Sequence, residues 1–315
     1  MFRLFDLPDE LLNEIVLFVS DDGSDKTSLK SLTLTNKRLQ SFASPLLMSH
    51  WHNYCGPYNY RGDHEFGLLA LHLLRNPQHR SQLRSLKFQN YWTGRYLHNV
   101  CEVFSRDQFI TEEMTAEMAD EAERTVPDLA DFSEGWIDRV DEGMVDAVLA
   151  LVLAWANRLT EVSLDFRGRY ESVDKAVICR SLSRLPLLRT VEIDMGYFLP
   201  IPENVESFAP DIFVSMMPKS LTKLVITWKD RDDTPILGTD IPVIRYDENR
   251  TCSLITEAIG MLLQEAGPGY KFSKLRCIDA SHIKWEPDSL ENAVELGNSR
   301  GVRVIEPISM IRSIL

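Results

Sequence analysis

Cysteine is scarce in this chain and follows no pattern. Five occur in 315 residues, Cys55, Cys101, Cys179, Cys252 and Cys277, and no Cys-x-x-Cys pair is among them. Such spacing supports neither a disulfide framework nor a zinc ribbon, and a reduced, intracellular compartment is the simplest reading. Long apolar runs are missing too. The longest, Ala147 to Ala156, is bounded by Asp146 and Arg158, well short of the ~20 residues a bilayer-crossing helix needs. Asp6, Asp9 and Glu10 break any signal-peptide core at the N-terminus. Basic charge is in deficit, with 34 Lys and Arg against 47 Asp and Glu and a net charge of −13. An acidic chain repels phosphate, and no basic run compensates, so neither nucleic acid nor a membrane is an expected partner.

Signatures of chemistry are also missing. No Gly-x-Ser-x-Gly, Walker loop or Gly-x-Gly-x-x-Gly occurs, so neither a nucleophile elbow nor a phosphate cradle is signalled. His50-x-His52 with Cys55 and His64 fits no established zinc spacing, and the neighbouring Trp51 and Tyr54 point to packing. No catalytic residue, metal site or cofactor is expected.

What is present is globular composition: 44% hydrophobic, 26% charged, with 15 Gly and 15 Pro. A chain of this length buries roughly 75% of its unfolded surface and reaches stability without staples. Three zones stand out. In the first, residues 1–50, Leu7-Pro8-Asp9-Glu10 opens a helix, with acidic residues at the positive end of its dipole. Leu11, Leu12, Ile15, Val16 and Val19 recur at helical spacing, and Asp21 to Asp25 form a turn cluster. Leu29, Leu32 and Leu34 mark a second helix. Arg38 to Met48 reads as a third, which Pro45 is expected to kink or cut short. The aromatics after it, Trp51, Tyr54, Tyr58, Tyr60 and Phe66, read as a packed linker, with a peptide-binding aromatic surface as the alternative.

The second zone, Ser105 to Gly143, holds thirteen acidic residues against Arg106, Arg124 and Arg139, a net charge of −10. It reads as a solvated helical insert, mobile near Pro127 and dispensable for folding, or as a docking patch for a basic partner.

The third zone carries an echo. Leu159-x-x-Val162-x-Leu164 is followed by Leu188-x-x-Val191-x-Ile193, Leu221-x-x-Leu224-x-Ile226 and Leu275-x-x-Ile278-x-Ala280. Leu83-x-x-Leu86-x-Phe88 is an early copy and Val302-x-Val304 a late fragment. Each core alternates with period two, as a strand does. Helical spacing fills the intervals over Val145–Trp155, Val173–Leu182, Ser253–Gln264 and Ser289–Leu296. Starts lie 29, 33 and 54 residues apart, against about 20–29 in leucine-rich repeats. The positions where a regular repeat carries its turn Asn or Cys hold Arg167, Gly196, Lys229 and Ile283. Irregular repeats with a parallel sheet, or a chance echo in an ordinary α/β domain, both fit. The fold class is α/β.

The first zone resembles the F-box. The residues that carry the likeness are Leu7 to Ile15, then Leu29-x-x-Leu32-x-Leu34-Thr35-Asn36-Lys37-Arg38-Leu39, then Ala43-Ser44-Pro45-Leu46-Leu47. Asn36 stands where many members carry Cys. The resemblance implies a three-helix unit that docks on the Skp-family adaptor of a cullin–RING ubiquitin ligase through Leu7, Pro8, Leu11, Leu12, Ile15, Leu32, Lys37 and Leu39. The remainder then presents a protein substrate. Under it the chain divides into an F-box at 1–50, a linker with the first repeat-like segment at 51–104, the acidic insert at 105–143 and an irregular leucine-rich-repeat-like solenoid at 144–315. The expected role is that of a non-catalytic substrate receptor in cytoplasm or nucleus. The alternatives are an α/β enzyme of unrecognised type and an F-box protein working outside the ligase. Residues of outward parity on the repeat strands, Glu161, Asp165, Glu192, Asp194 and Asp279, with Lys223 against them, predict a negative substrate surface and a substrate rich in Lys or Arg.

Overall fold

Seven short strands pair in the order in which the chain makes them. The computed structural model describes residues 7–20, 26–52, 61–90, 110–131, 135–166, 175–194, 210–227, 248–283, 285 and 287–307. The strands are β1 (His50–His52), β2 (Ser85–Asn90), β3 (Glu161–Phe166), β4 (Thr190–Asp194), β5 (Lys223–Thr227), β6 (Cys277–Asp279) and β7 (Arg303–Ile305). Every neighbouring pair is parallel, and the sheet order is β1 through β7 without a crossover. The chain is therefore α/β, with thirteen helices among the described residues.

Register turns the echo into three ladders. Leu86, Val162, Val191, Leu224, Ile278 and Val304 face one another across six strands. Phe88, Leu164, Ile193 and Ile226 form the second row. Leu83, Leu159, Leu188, Leu221 and Leu275, each three residues before its strand's first ladder position, are fully buried. Burial alternates along β3 and β5, so one face is covered and the other open. Truncating one such leucine to Ala costs about 2–5 kcal/mol.

Backbone carbonyls at strand entry tie the stack together. Arg84 O accepts from Thr160 N and Glu161 N at 2.7 and 3.0 Å, and Thr160 O from Arg189 N and Thr190 N at 2.8 and 3.0 Å. Arg189 O and Thr222 O repeat the pattern for the next two strands. The Thr160 and Thr222 hydroxyls donate to the same carbonyls, Arg84 O and Arg189 O. These bonds satisfy the buried polar groups of the turn without side-chain amides. Of the four positions without Asn or Cys, Ile283 is buried. Arg167, Gly196 and Lys229 lie outside the described residues.

The helices stack in chain order too. α4 (Arg61–Arg75), α9 (Val145–Trp155), α10 (Lys175–Ser183), α11 (Pro210–Met216), α12 (Glu248–Gln264) and α13 (Pro287–Arg300) each touch the next. Each strand–helix unit thus rests on its neighbours, as in one-dimensional stacks. Apolar all round, α9 is buried on nearly every side between α4, α8 (Trp136–Asp141) and α10. The longest hydrophobic run is thus a core helix, and no helix among the described residues is long and apolar enough to cross a membrane. At the end of α13, Gly301 takes φ +72°, Gly301 N donates to Asn298 O and Val302 N to Gly297 O, a Schellman stop.

The acidic zone departs from expectation. α6 (Glu112–Thr125), α7 (Pro127–Ala130) and α8 place Met118, Ala122, Val126, Leu129, Trp136 and Val140 in the same core as the sheet. Trp136 is fully buried and its Nε1 donates to Ala147 O at 3.3 Å. Glu112, Glu113, Glu117, Asp120 and Glu123 point to solvent. The zone is an amphipathic part of the core, not a solvated insert. The inward face of α6 is Thr115, Met118, Ala119 and Ala122, mostly small residues, and so its sequence reads as more polar than it packs. Pro127 stands at the first position of α7.

Two other expectations change. Trp51 belongs to β1 and meets Phe66 edge-on at 5.6 Å; Phe66 meets Phe88 at 4.8 Å. These two aromatics are sheet packing, while Tyr54, Tyr58 and Tyr60 lie outside the described residues. α3 (Lys37–Ser49) runs through Pro45. The carbonyl of Ser41 loses its intrahelical donor there, but both Ser41 and Pro45 are exposed and water can replace it.

Candidate functional site

The N-terminal helices have a core of their own. α1 (Asp9–Ser20), α2 (Lys26–Thr35) and α3 bury Leu12, Val16, Leu29, Leu39 and Ala43, with Leu7, Val19, Leu32, Phe42, Leu46 and Leu47 packed around them. The turn cluster Asp21 to Asp25 lies outside the described residues. Asn36 caps α3: its side chain accepts from Arg38 N at 2.7 Å. That is a role Cys fills poorly. Arg38 then reaches back to the head of α1, donating from Nε to Asp9 Oδ1 at 2.6 Å and from Nη2 to Leu7 O at 2.8 Å. α3 leads directly into β1, and Met48 and Trp51 join the sheet core.

α1 carries two apolar stripes. Leu12, Val16 and Val19 face inward. Leu11, Ile15 and Phe18, at i, i+4 and i+7, form a second line about 100° around the helix. They remain 51%, 38% and 82% exposed, and Leu34 on α2 is 87% exposed. With Leu17, also 38% exposed, five large side chains face water on a unit this small. They are surplus to its core, and an apolar surplus on short helices marks an interface.

Of the residues named for adaptor docking, Leu11 and Ile15 lie on this stripe, and Pro8 and Lys37 are exposed. Leu7 and Leu32 are half-buried against the unit's core. Leu12 and Leu39 are corrected: at 0% and 1% exposure they hold the three helices together and present no surface to a partner. Phe18 and Leu34 were missed. Phe18 is legible in retrospect as the i+7 continuation of Leu11.

The open face of the sheet gathers the second set. One row reads His50, Ser85, Glu161, Thr190, Lys223, Cys277 and Arg303; the next reads His52, Lys87, Ser163, Glu192, Val225, Asp279 and Ile305. Glu161, Glu192, Lys223 and Asp279 therefore share one surface. Asp165 and Asp194 are buried. Asp279 Oδ1 accepts from Ser281 N at 3.3 Å and Ser281 Oγ at 2.7 Å. Lys87 and Arg303 also stand exposed on this face. The expectation of a negative surface with Lys223 alone against it is corrected to one of mixed sign, because β2 and β7, the early copy and the late fragment of the echo, add Lys87 and Arg303 at the same outward parity.

Among the described residues no three His, Cys, Asp or Glu side chains form a group able to hold a metal ion. His50 Nδ1 is paired with Ser49 Oγ at 2.7 Å; Cys55 lies outside the described residues. Two histidines that the sequence left unconnected do meet: His72 Nε2 and His79 Nδ1 are 2.7 Å apart, with the rings stacked at 5.0 Å. Compared with protein-family models, with curated proteins and with solved structures, the chain finds a match in none of the three.

Proposed function

We propose that the chain is the substrate-recognition subunit of a Skp–cullin–F-box ubiquitin ligase, working in cytoplasm or nucleus. The observation that carries this reading is the Leu11–Ile15–Phe18 stripe with Leu34, exposed on a three-helix unit that has its own core. In this reading the stripe enters an apolar groove of the Skp-family adaptor, and the adaptor brings the cullin. Burying such side chains contributes about 1.5–3 kcal/mol each, enough for a stable contact from three or four of them. The sequential parallel strands and the aligned leucine ladders support reading the remainder as an irregular leucine-rich-repeat-like solenoid that presents a protein substrate. The chain itself performs no catalysis in this scheme; ubiquitin transfer belongs to the assembled ligase.

The test is co-purification of the full chain with a Skp-family adaptor, followed by addition of the cullin. A stoichiometric complex is expected, and Leu11→Ala with Phe18→Ala should weaken it by roughly a hundredfold or more. Both side chains face solvent, so the unit's own fold should persist by circular dichroism. An adaptor complex indifferent to this double change overturns the docking assignment. An adaptor complex that never takes up the cullin overturns the ligase role while leaving the docking intact.

A further inference from the structure

The turns that lead into β4, β5 and β6 enclose a shallow cleft of about 440 Å³ on the N-terminal rim of the sheet. Its walls carry Arg189, Lys274 and Arg276, with Leu187, Ser220 and Thr222 between them. In a chain of net charge −13, three cations around one cleft are out of proportion. Among the described residues they are also unneutralised. Arg38, Arg80, Arg124, Arg184 and Lys271 have carboxylate partners, whereas Arg189, Lys274 and Arg276 form no ion pair among the described residues.

The cleft is held rigid from behind. Ser220 Oγ donates to Leu188 O at 2.7 Å and Thr222 Oγ1 to Arg189 O at 2.9 Å, so both hydroxyl protons are committed to the main chain. Arg276 donates from Nη1 to Ser273 O and Leu275 O at 2.9 and 2.8 Å. That fixes its guanidinium against the turn and leaves its remaining N–H groups for another acceptor. Leu187, 45% exposed, adds an apolar wall next to the charges.

The cations are spread, not converged. Arg189 precedes β4 and Arg276 precedes β6, two strand spacings away, or about 10 Å along the rim. Lys223 and Arg303, exposed at the first positions of β5 and β7, lie on the adjoining open face and do not line the cleft. Single charges spaced along a line suit several single anions along an extended chain better than one compact dianion. The apolar wall suits a side chain that a nucleic-acid backbone does not carry, and the acidic remainder of the chain disfavours a long polyanion.

We propose that this rim binds an extended acidic peptide segment of a protein partner, with its carboxylates on Arg189, Lys274 and Arg276 and a neighbouring apolar side chain against Leu187. The site is independent of the N-terminal stripe and is tested on the full chain without adaptor. The probe is a fluorescein-labelled peptide rich in Glu and Asp with one central leucine, followed by fluorescence anisotropy at low and physiological salt. Binding that weakens with salt is expected. Arg189→Glu with Lys274→Glu, at two exposed side chains without ion-pair partners among the described residues, should lower affinity by about tenfold or more. Leu187→Ala should weaken the leucine-bearing peptide several-fold and leave a leucine-free one unchanged. Lys87→Glu, on the open face away from the rim, should have little effect. The proposal is overturned if the acidic peptide does not bind, if the rim reversal has no more effect than Lys87→Glu, or if an oligonucleotide or a phosphoserine peptide of equal charge binds more tightly.

Discussion

Arg80 donates from Nη2 to Glu121 Oε1 at 2.8 Å, and each side chain is only 12% exposed. The pair joins the acidic zone to the sheet's helical layer. The Arg80 guanidinium also lies 4.0 Å over the Trp155 ring and donates from Nε to Leu73 O at 3.0 Å. Arg124 completes the carboxylate's partners from the solvent side. Removing one member of such a pair strands the other in a poor dielectric. Glu121→Ala should therefore cost roughly 3 kcal/mol, read as a lower urea midpoint at constant slope. The double change with Arg80→Ala should cost less than the sum of the two. Equal additive losses would show that the pair is not coupled.

The same carboxylate gives a pH dependence. Burial pushes Glu121 up, but hydrogen bonds from Arg124 and Arg80 and their charges outweigh it and hold the group below its ordinary 4.5. A depressed folded pKa means that the unfolded chain binds the proton first. Its contribution is complete above the unfolded value and fades as pH falls through the folded one. Acid unfolding of Glu121→Gln should accordingly be shallower than that of the wild type.

Residues Glu112 to Asp131 should be indispensable. Their deletion removes Met118, Ala122, Val126 and Leu129 from the core and leaves Trp136 and Trp155 without their neighbours, Trp155 losing its Nε1 bond to Thr125 Oγ1 as well. Loss of a single cooperative thermal transition is the expected outcome. A deletion that melts as sharply as the full chain would restore the reading of a solvated insert.

His72 is pushed below its ordinary 6.5, first by burial and then by the neighbouring His79. Its neutral form is favoured in the folded state, so the unfolded chain takes up the proton first. Stability from this pair is complete above the unfolded value and falls as pH drops below it toward the depressed folded one. His72→Gln should flatten that part of the urea-midpoint profile. A profile unchanged by the substitution would place the pH sensitivity elsewhere.

Two glycines separate close approach from open space. A Cβ on Gly297 would come within 2.7 Å of Val302 O and 2.9 Å of Val304 Cγ2, where α13 turns onto β7. Gly297→Ala should cost about 1–3 kcal/mol by overpacking. Gly260, inside α12, has nothing within 4 Å of that position. Gly260→Ala should instead stabilise by about 0.5–1 kcal/mol through helix propensity. Thermal midpoints that move in the same direction would contradict the assigned packing.

By itself the sequence determined the strand–helix alternation and the parity of each repeat. Period-two leucines have one way to bury themselves, and so β2 to β7 and the helices α9, α10, α12 and α13 stand where their spacing put them. β1 was not legible, because three residues of His-Trp-His gain their strand geometry from β2 and not from local preference. The core role of the acidic zone was hidden for a related reason. Alanines and a methionine are weak hydrophobic signals until a neighbouring sheet brings its own surface against them.

Tertiary structure alone decided which apolar residues face water and where charge collects. Leu11 and Leu12 are adjacent and chemically identical, yet one is half exposed and the other sealed, because α3 covers a single side of α1. The basic rim has no counterpart in any local run of sequence. Arg189 belongs to the turn before β4 and Lys274 and Arg276 to the turn before β6, up to 87 positions apart in the chain, and they share one rim because parallel pairing sets every strand entry on the same edge at a spacing of about 4.8 Å.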